Sequence, residues 1–74
     1  MGERIRRLTA REVESLLKWH GFELISQKGS RRKWRRPQAG VQVIVPEHGG
    51  RTLPLGTLRS ILKGAEIPES EWKE

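Results

Sequence analysis

Between Lys28 and Arg36 the chain carries six basic side chains (Lys28, Arg31, Arg32, Lys33, Arg35 and Arg36), no acid, and Trp34 as its one large apolar residue. Few folds accept such a segment. Arg31 to Arg36 holds no helix-breaking residue and ends at Pro37, so it reads as a strand. Side chains alternate across a strand, which puts Arg31, Lys33 and Arg35 on one face and Arg32, Trp34 and Arg36 on the other. Burying Trp34 leaves three cations on the opposite face, with Lys28 and Arg32 near the preceding turn. The segment therefore demands a sheet covered on one side only.

The flanking sequence supplies the cover. Thr9-Ala10-Arg11-Glu12 is a capping box, and Val13, Leu16, Leu17 and His20 follow at helical spacing up to Gly21, giving a helix over about 10–20. Phe22 to Lys28 is a first strand, with Phe22 and Leu24 expected on its helix-facing side. Gly29-Ser30 forms a turn into the basic strand, and Pro37-Gln38-Ala39-Gly40 forms a second turn. Val41 to Val45, β-branched at four of five positions, is the third strand. After a loop over 47–53, Pro54 opens a second helix whose stripe is Leu55, Leu58, Ile61, Leu62 and Ala65. Pro68 ends what precedes it, and 69–74 forms a last turn anchored by Trp72. Trp19 and Trp72 are expected in the core or at its rim. The order α-β-β-β-α defines an α+β fold, a three-stranded antiparallel sheet with both helices on one face.

With 74 residues, one domain spanning 1–74 is expected, with its core at about 9–68, a basic lead-in over 1–8 and an acidic turn over 69–74. The absence of cysteine suits a reducing compartment. No apolar run is long enough for a membrane span, and the basic N-terminal residues lack the apolar stretch of a secretory signal. A cytoplasmic location follows as the expectation. The net charge is +6, yet Glu66, Glu69, Glu71 and Glu74 crowd the last nine positions with Lys73 as their sole basic neighbour. The rest of the chain is more cationic than the total suggests, and such a field draws in polyanions. RNA is the expected partner, with Lys28, Arg31, Arg32, Lys33 and Arg35 on its phosphates and Ser30 and Arg51 added to that set. Trp34, which could stack on a base, is better placed in the core, because the chain has only four aromatic residues to fill it.

Chemistry beyond binding is sparse. Neither His20 nor His48 has a metal-type partner at helical or hairpin spacing, so no metal or cofactor is expected. His20 ends a helix. His48 lies in a Pro/Gly-rich loop after the third strand, where functional side chains tend to sit.

The blocks Gly21-Phe22-Glu23-Leu24, Lys28-Gly29-Ser30, Val45-Pro46-Glu47-His48 and Leu55-Gly56-Thr57-Leu58-Arg59-Ser60-Ile61-Leu62 resemble, in order and spacing, the HicA toxin family. The resemblance spans about 9–68. It implies the same α-β-β-β-α fold, akin to double-stranded-RNA-binding domains. It also implies an mRNA interferase, a bacterial endoribonuclease toxin held inactive by a HicB-like antitoxin. The family motif after the turn is Gly-Ser-His, the histidine being catalytic; here Arg31 stands at that position, and Trp34 stands where the family commonly has Tyr. Arginine stays protonated, so it stabilises negative charge but is a poor base. Three readings stay open: His48 transfers the proton with Arg31 on the phosphate, the protein binds RNA without cutting it, or Arg31 is an introduced substitution that silences a toxin. Arg31 and His48 are the candidate catalytic pair.

Two rival classes share the charge pattern. A plain double-stranded-RNA-binding module usually presents lysines at the start of its second helix, whereas Leu53-Pro54-Leu55-Gly56-Thr57 has none. A protein-interaction subunit docking an acidic partner would show no salt-dependent RNA binding.

Overall fold

The computed structural model describes residues 5–73; the start of the expected lead-in, 1–4, and Glu74 of the acidic turn lie outside them. The order is α1 (Ala10–Trp19), β1 (Glu23–Lys28), β2 (Arg31–Arg36), β3 (Val41–Pro46), α2 (Leu55–Gly64) and a short 3-10 turn, Glu69–Glu71. The strands form one antiparallel sheet in the order β1-β2-β3, as the sequence predicts.

Both helix ends follow from local chemistry. The Thr9 hydroxyl accepts from the Glu12 amide at 3.2 Å, and the Glu12 carboxylate accepts from the Thr9 amide at 2.8 Å. α1 stops with Gly21 at φ 87°, while the Phe22 amide donates to the Leu17 carbonyl and the Gly21 amide to that of Lys18. That pair of bonds satisfies carbonyls the helix would otherwise leave unpaired. α2 ends in the same pattern, Ile67 to Leu62 and Glu66 to Lys63, but its left-handed residue is Glu66, at φ 59°. A side chain in that conformation costs about 1–2 kcal/mol, of which glycine's greater freedom in the unfolded chain returns about 0.4–1 kcal/mol. Glu66→Gly is therefore expected to raise the melting temperature by a few degrees, checked by thermal denaturation; a fall would show that the Glu66 side chain makes a compensating contact.

Trp34, Val43 and Val45 share the covered face of the sheet and pack with Val13, Leu17, Leu58, Leu62 and Trp72. The indole of Trp72 donates to the Ile67 carbonyl at 3.0 Å, so this last-turn tryptophan is core, not rim. Leu8 is core too, although the sequence placed it in the lead-in. Its carbonyl accepts from Leu53, and Ile5 pairs with Lys73.

Three apolar expectations fail. Leu24 lies opposite Trp34 yet is 44% exposed, Trp19 is 82% exposed, and Leu55 is 43% exposed. The cause is common to the first two: the helices pack over β3 rather than β1, so no β1 residue is buried. A bulge between Leu24 and Ser26 further breaks β1's alternation, leaving Ile25 exposed. Leu55 opens α2, one turn before the helix reaches the core at Leu58.

Candidate nucleic-acid interface

Register decides where each cation points. Residues directly opposite one another in an antiparallel pair share a face. Lys28 lies opposite Arg31, Ser26 opposite Lys33, and Glu23 opposite Arg35; on the other side Arg31, Lys33 and Arg35 lie opposite Pro46, Ile44 and Gln42. Lys28, Arg31, Lys33 and Arg35 thus lie along the open face. Among the described residues none of these four has an ion-pair partner. Like charges this close repel one another, a standing cost that a bound polyanion relieves.

The even-numbered residues of β2 have different work. Trp34 is 2% exposed, and its indole donates to Glu14 Oε2 at 3.0 Å. Arg32 donates to Glu14 Oε1 at 3.1 Å. Arg36 donates from Nε to the His20 carbonyl at 3.0 Å, with its guanidinium 4.9 Å from the centre of the Phe22 ring. Arg32 thus lies on the covered side with Trp34 and Arg36, as alternation predicts, and apart from the Lys28, Arg31, Lys33 and Arg35 row with which it was expected to contact RNA phosphates. Glu14 was missed altogether. A signal was present: Glu14 falls between Ala10 and Leu17 at helical spacing, so a carboxylate occupies a core position and needs buried donors.

The two candidate catalytic residues line different cavities. Arg31 borders a groove of about 450 Å³ with Ile44, Pro46, Gly56, Thr57, Ser60 and Ile61; the first turns of α2 thus bring two hydroxyl-bearing residues to the groove that Arg31 lines. His48 lines a second cavity, of about 400 Å³, with Arg11, Glu14, Arg32 and Glu47. The two are nonetheless close along the chain path, because the Glu47 amide donates to the Ser30 carbonyl at 2.7 Å beside the Arg31–Pro46 pair. Ser30 sits exposed in the turn, and Arg51, also exposed, lines neither cavity.

His20 is committed elsewhere. Its Nε2 lies 2.7 Å from Glu71 Oε1, tying the end of α1 to the last turn. In the same turn, the hydrogen bond and positive charge of Lys73 hold the Glu69 carboxyl below its usual range. Among the described residues no three His, Asp or Glu side chains converge to hold a metal ion, and no helix is long and apolar enough to cross a membrane.

A sheet with both helices on one face and the row Lys28, Arg31, Lys33 and Arg35 on the other, with Glu23 opposite Arg35, defines a small α+β domain. A sequence model of the HicA toxin of bacterial toxin–antitoxin systems matches residues 10–67, most of the chain, so this protein belongs to the HicA toxin family. Members of that family are generally mRNA-cleaving toxins paired with an antitoxin. No curated protein matches closely enough to count as a relative.

Proposed function

We propose that the chain is the RNA-binding toxin of a bacterial toxin–antitoxin pair, an mRNA interferase that acts in the cytoplasm and is neutralised by a HicB-like antitoxin. The observation that carries the proposal is the row Lys28, Arg31, Lys33 and Arg35 on the open face, without an ion-pair partner among the described residues. RNA phosphates lie along it, with Ser30, Thr57, Ser60 and Arg51 as further contacts at its Arg31 end. Phosphate contacts fix register without reading sequence.

Cleavage follows the chemistry available at that end. The ribose 2′-hydroxyl attacks the adjacent phosphorus, the bond to the 5′-oxygen breaks, and the products are a 2′,3′-cyclic phosphate and a free 5′-hydroxyl. Arg31 stabilises the charge that gathers on the phosphoryl oxygens. His48, the imidazole without an ion-pair partner among the described residues, transfers the proton. One observation favours a second reading, binding without cleavage: Arg31 replaces the imidazole of the family motif.

Incubation with a long single-stranded RNA in EDTA separates the two. Cutting that His48→Ala reduces by about 10²–10⁴-fold supports His48 as the proton-transfer group; bound but uncut RNA supports the second reading. In that case Arg31→His is expected to bring cleavage back, and its failure to do so would show that the site lacks more than one imidazole.

A further inference from the structure

The cavity on the covered side of β2 has a composition that the open-face row does not explain. Its walls come from three separated segments, 9–14, Arg32 and 45–50, joined where α1 starts and β3 ends. Glu14, 8% exposed, forms part of the wall, and both of its oxygens are already engaged, by Arg32 and Trp34. Each oxygen thus holds one protein donor, and Glu14 acts as a brace that orients the Arg32 guanidinium. Of that guanidinium's five donors, one is spent on Glu14. Arg11, Glu47 and His48 also line the cavity, and among the described residues their side chains have no hydrogen-bond or ion-pair partner. Val45 and Ala10 supply apolar wall. Two guanidiniums, an imidazole, one free carboxylate and apolar surface around about 400 Å³ match a phosphate attached to a nucleoside better than a bare anion. The volume falls in the range of small-molecule sites.

We propose that this cavity holds one ribonucleotide, its phosphate on Arg32 and Arg11 and its nucleoside against Val45, Glu47 and His48. The proposal rests on the RNA-binding reading and deepens it. Arg31 and Arg32 are consecutive, so they project to opposite faces of β2. An RNA strand crossing the end of the sheet has one phosphate on Arg31 in the open groove and the neighbouring nucleotide in the cavity on the far side. The strand then bends over the Ser30–Glu47 contact, with His48 beside the bend. A free mononucleotide offers the same chemistry, and the test separates the two sources.

The readout is the Trp34 indole N–H resonance in a ¹H–¹⁵N spectrum, because a ligand on Arg32 disturbs Glu14 and, through it, Trp34. The indoles of Trp72, bonded to Ile67, and of Trp19, in solvent, serve as controls. Titration with AMP is expected to move the Trp34 signal saturably, and Arg11→Glu, an exposed unpaired site, to weaken that response at least tenfold. Inorganic phosphate acting as well as AMP would overturn the nucleotide assignment, as would no Trp34 movement with AMP at millimolar concentration. A short RNA with hydroxyl ends that moves the same signal identifies an internal nucleotide as the ligand; movement by AMP alone identifies a free mononucleotide. The Lys33→Ala/Arg35→Ala variant, altered only on the open face, keeps the AMP response. If AMP does nothing while that variant loses RNA, the cavity assignment fails alone; if AMP binds while that variant keeps its full RNA affinity, the open-face reading fails alone.

Discussion

Replacing Lys33 and Arg35 together with alanine is expected to weaken single-stranded RNA binding about tenfold or more at 0.1 M salt while leaving thermal unfolding cooperative. Both side chains lie on the uncovered face, and neither takes part in a hydrogen bond or ion pair among the described residues, so their loss removes charge and little packing. The sharper measurement is salt dependence. Each phosphate contact to a single strand contributes about 0.7 to the slope of log affinity against log salt, so losing two contacts flattens that slope by about 1.4. Unchanged affinity and slope would remove the open face from RNA binding. Loss of cooperative melting would show that these side chains support the fold.

The second large effect is on stability. Trp34→Ala is expected to cost about 3–5 kcal/mol, against a total of about 4–11 kcal/mol for a chain of this length. The loss is compounded because Trp34 and Arg32 share one partner. Removing the indole leaves Glu14 Oε2, in the wall of the core, without its donor, which adds about 1–3 kcal/mol. The variant is expected to be largely unfolded at 37 °C by circular dichroism. Trp34→Phe separates the contributions: it keeps most of the ring's packing and loses the hydrogen bond, so its cost should be near the smaller figure. Equal destabilisation by the two substitutions would mean that the hydrogen bond, not the bulk, carries the effect.

What could be read in advance was local. Thr9 with Glu12, Gly21 at the end of α1, and the alternation of Arg31 to Arg36 around Trp34 depend only on near neighbours in the chain, and all stand in the structure as the sequence predicts. What could not be read was which strand the helices cover. Periodicity marks Leu24 and Trp19 as apolar positions but says nothing of lateral offset, and the helices lie over β3. The site divides along the same line. The open-face row follows from alternation alone. The division between the Arg31 groove and the His48 cavity depends on the path of the 47–53 loop and on Glu14 reaching Arg32 across the fold, a contact between residues 18 positions apart that no local pattern encodes.

Trp72 has a consequence in time as well as in space. It is fully buried, next to the end of the described chain, and the Arg6 amide donates to its carbonyl at 3.0 Å. Synthesis proceeds from the N-terminus at about 5–20 residues per second, so every other core side chain exists before this one does. The core as observed, with Trp72 in it, is complete only after Trp72 has left the ribosome. A nascent chain that ends before Trp72 therefore carries the complete cationic row of β2 without the last side chain of its core. In a family whose members are generally mRNA-cleaving toxins, that ordering separates the birth of the charge cluster from the birth of the scaffold that aims it.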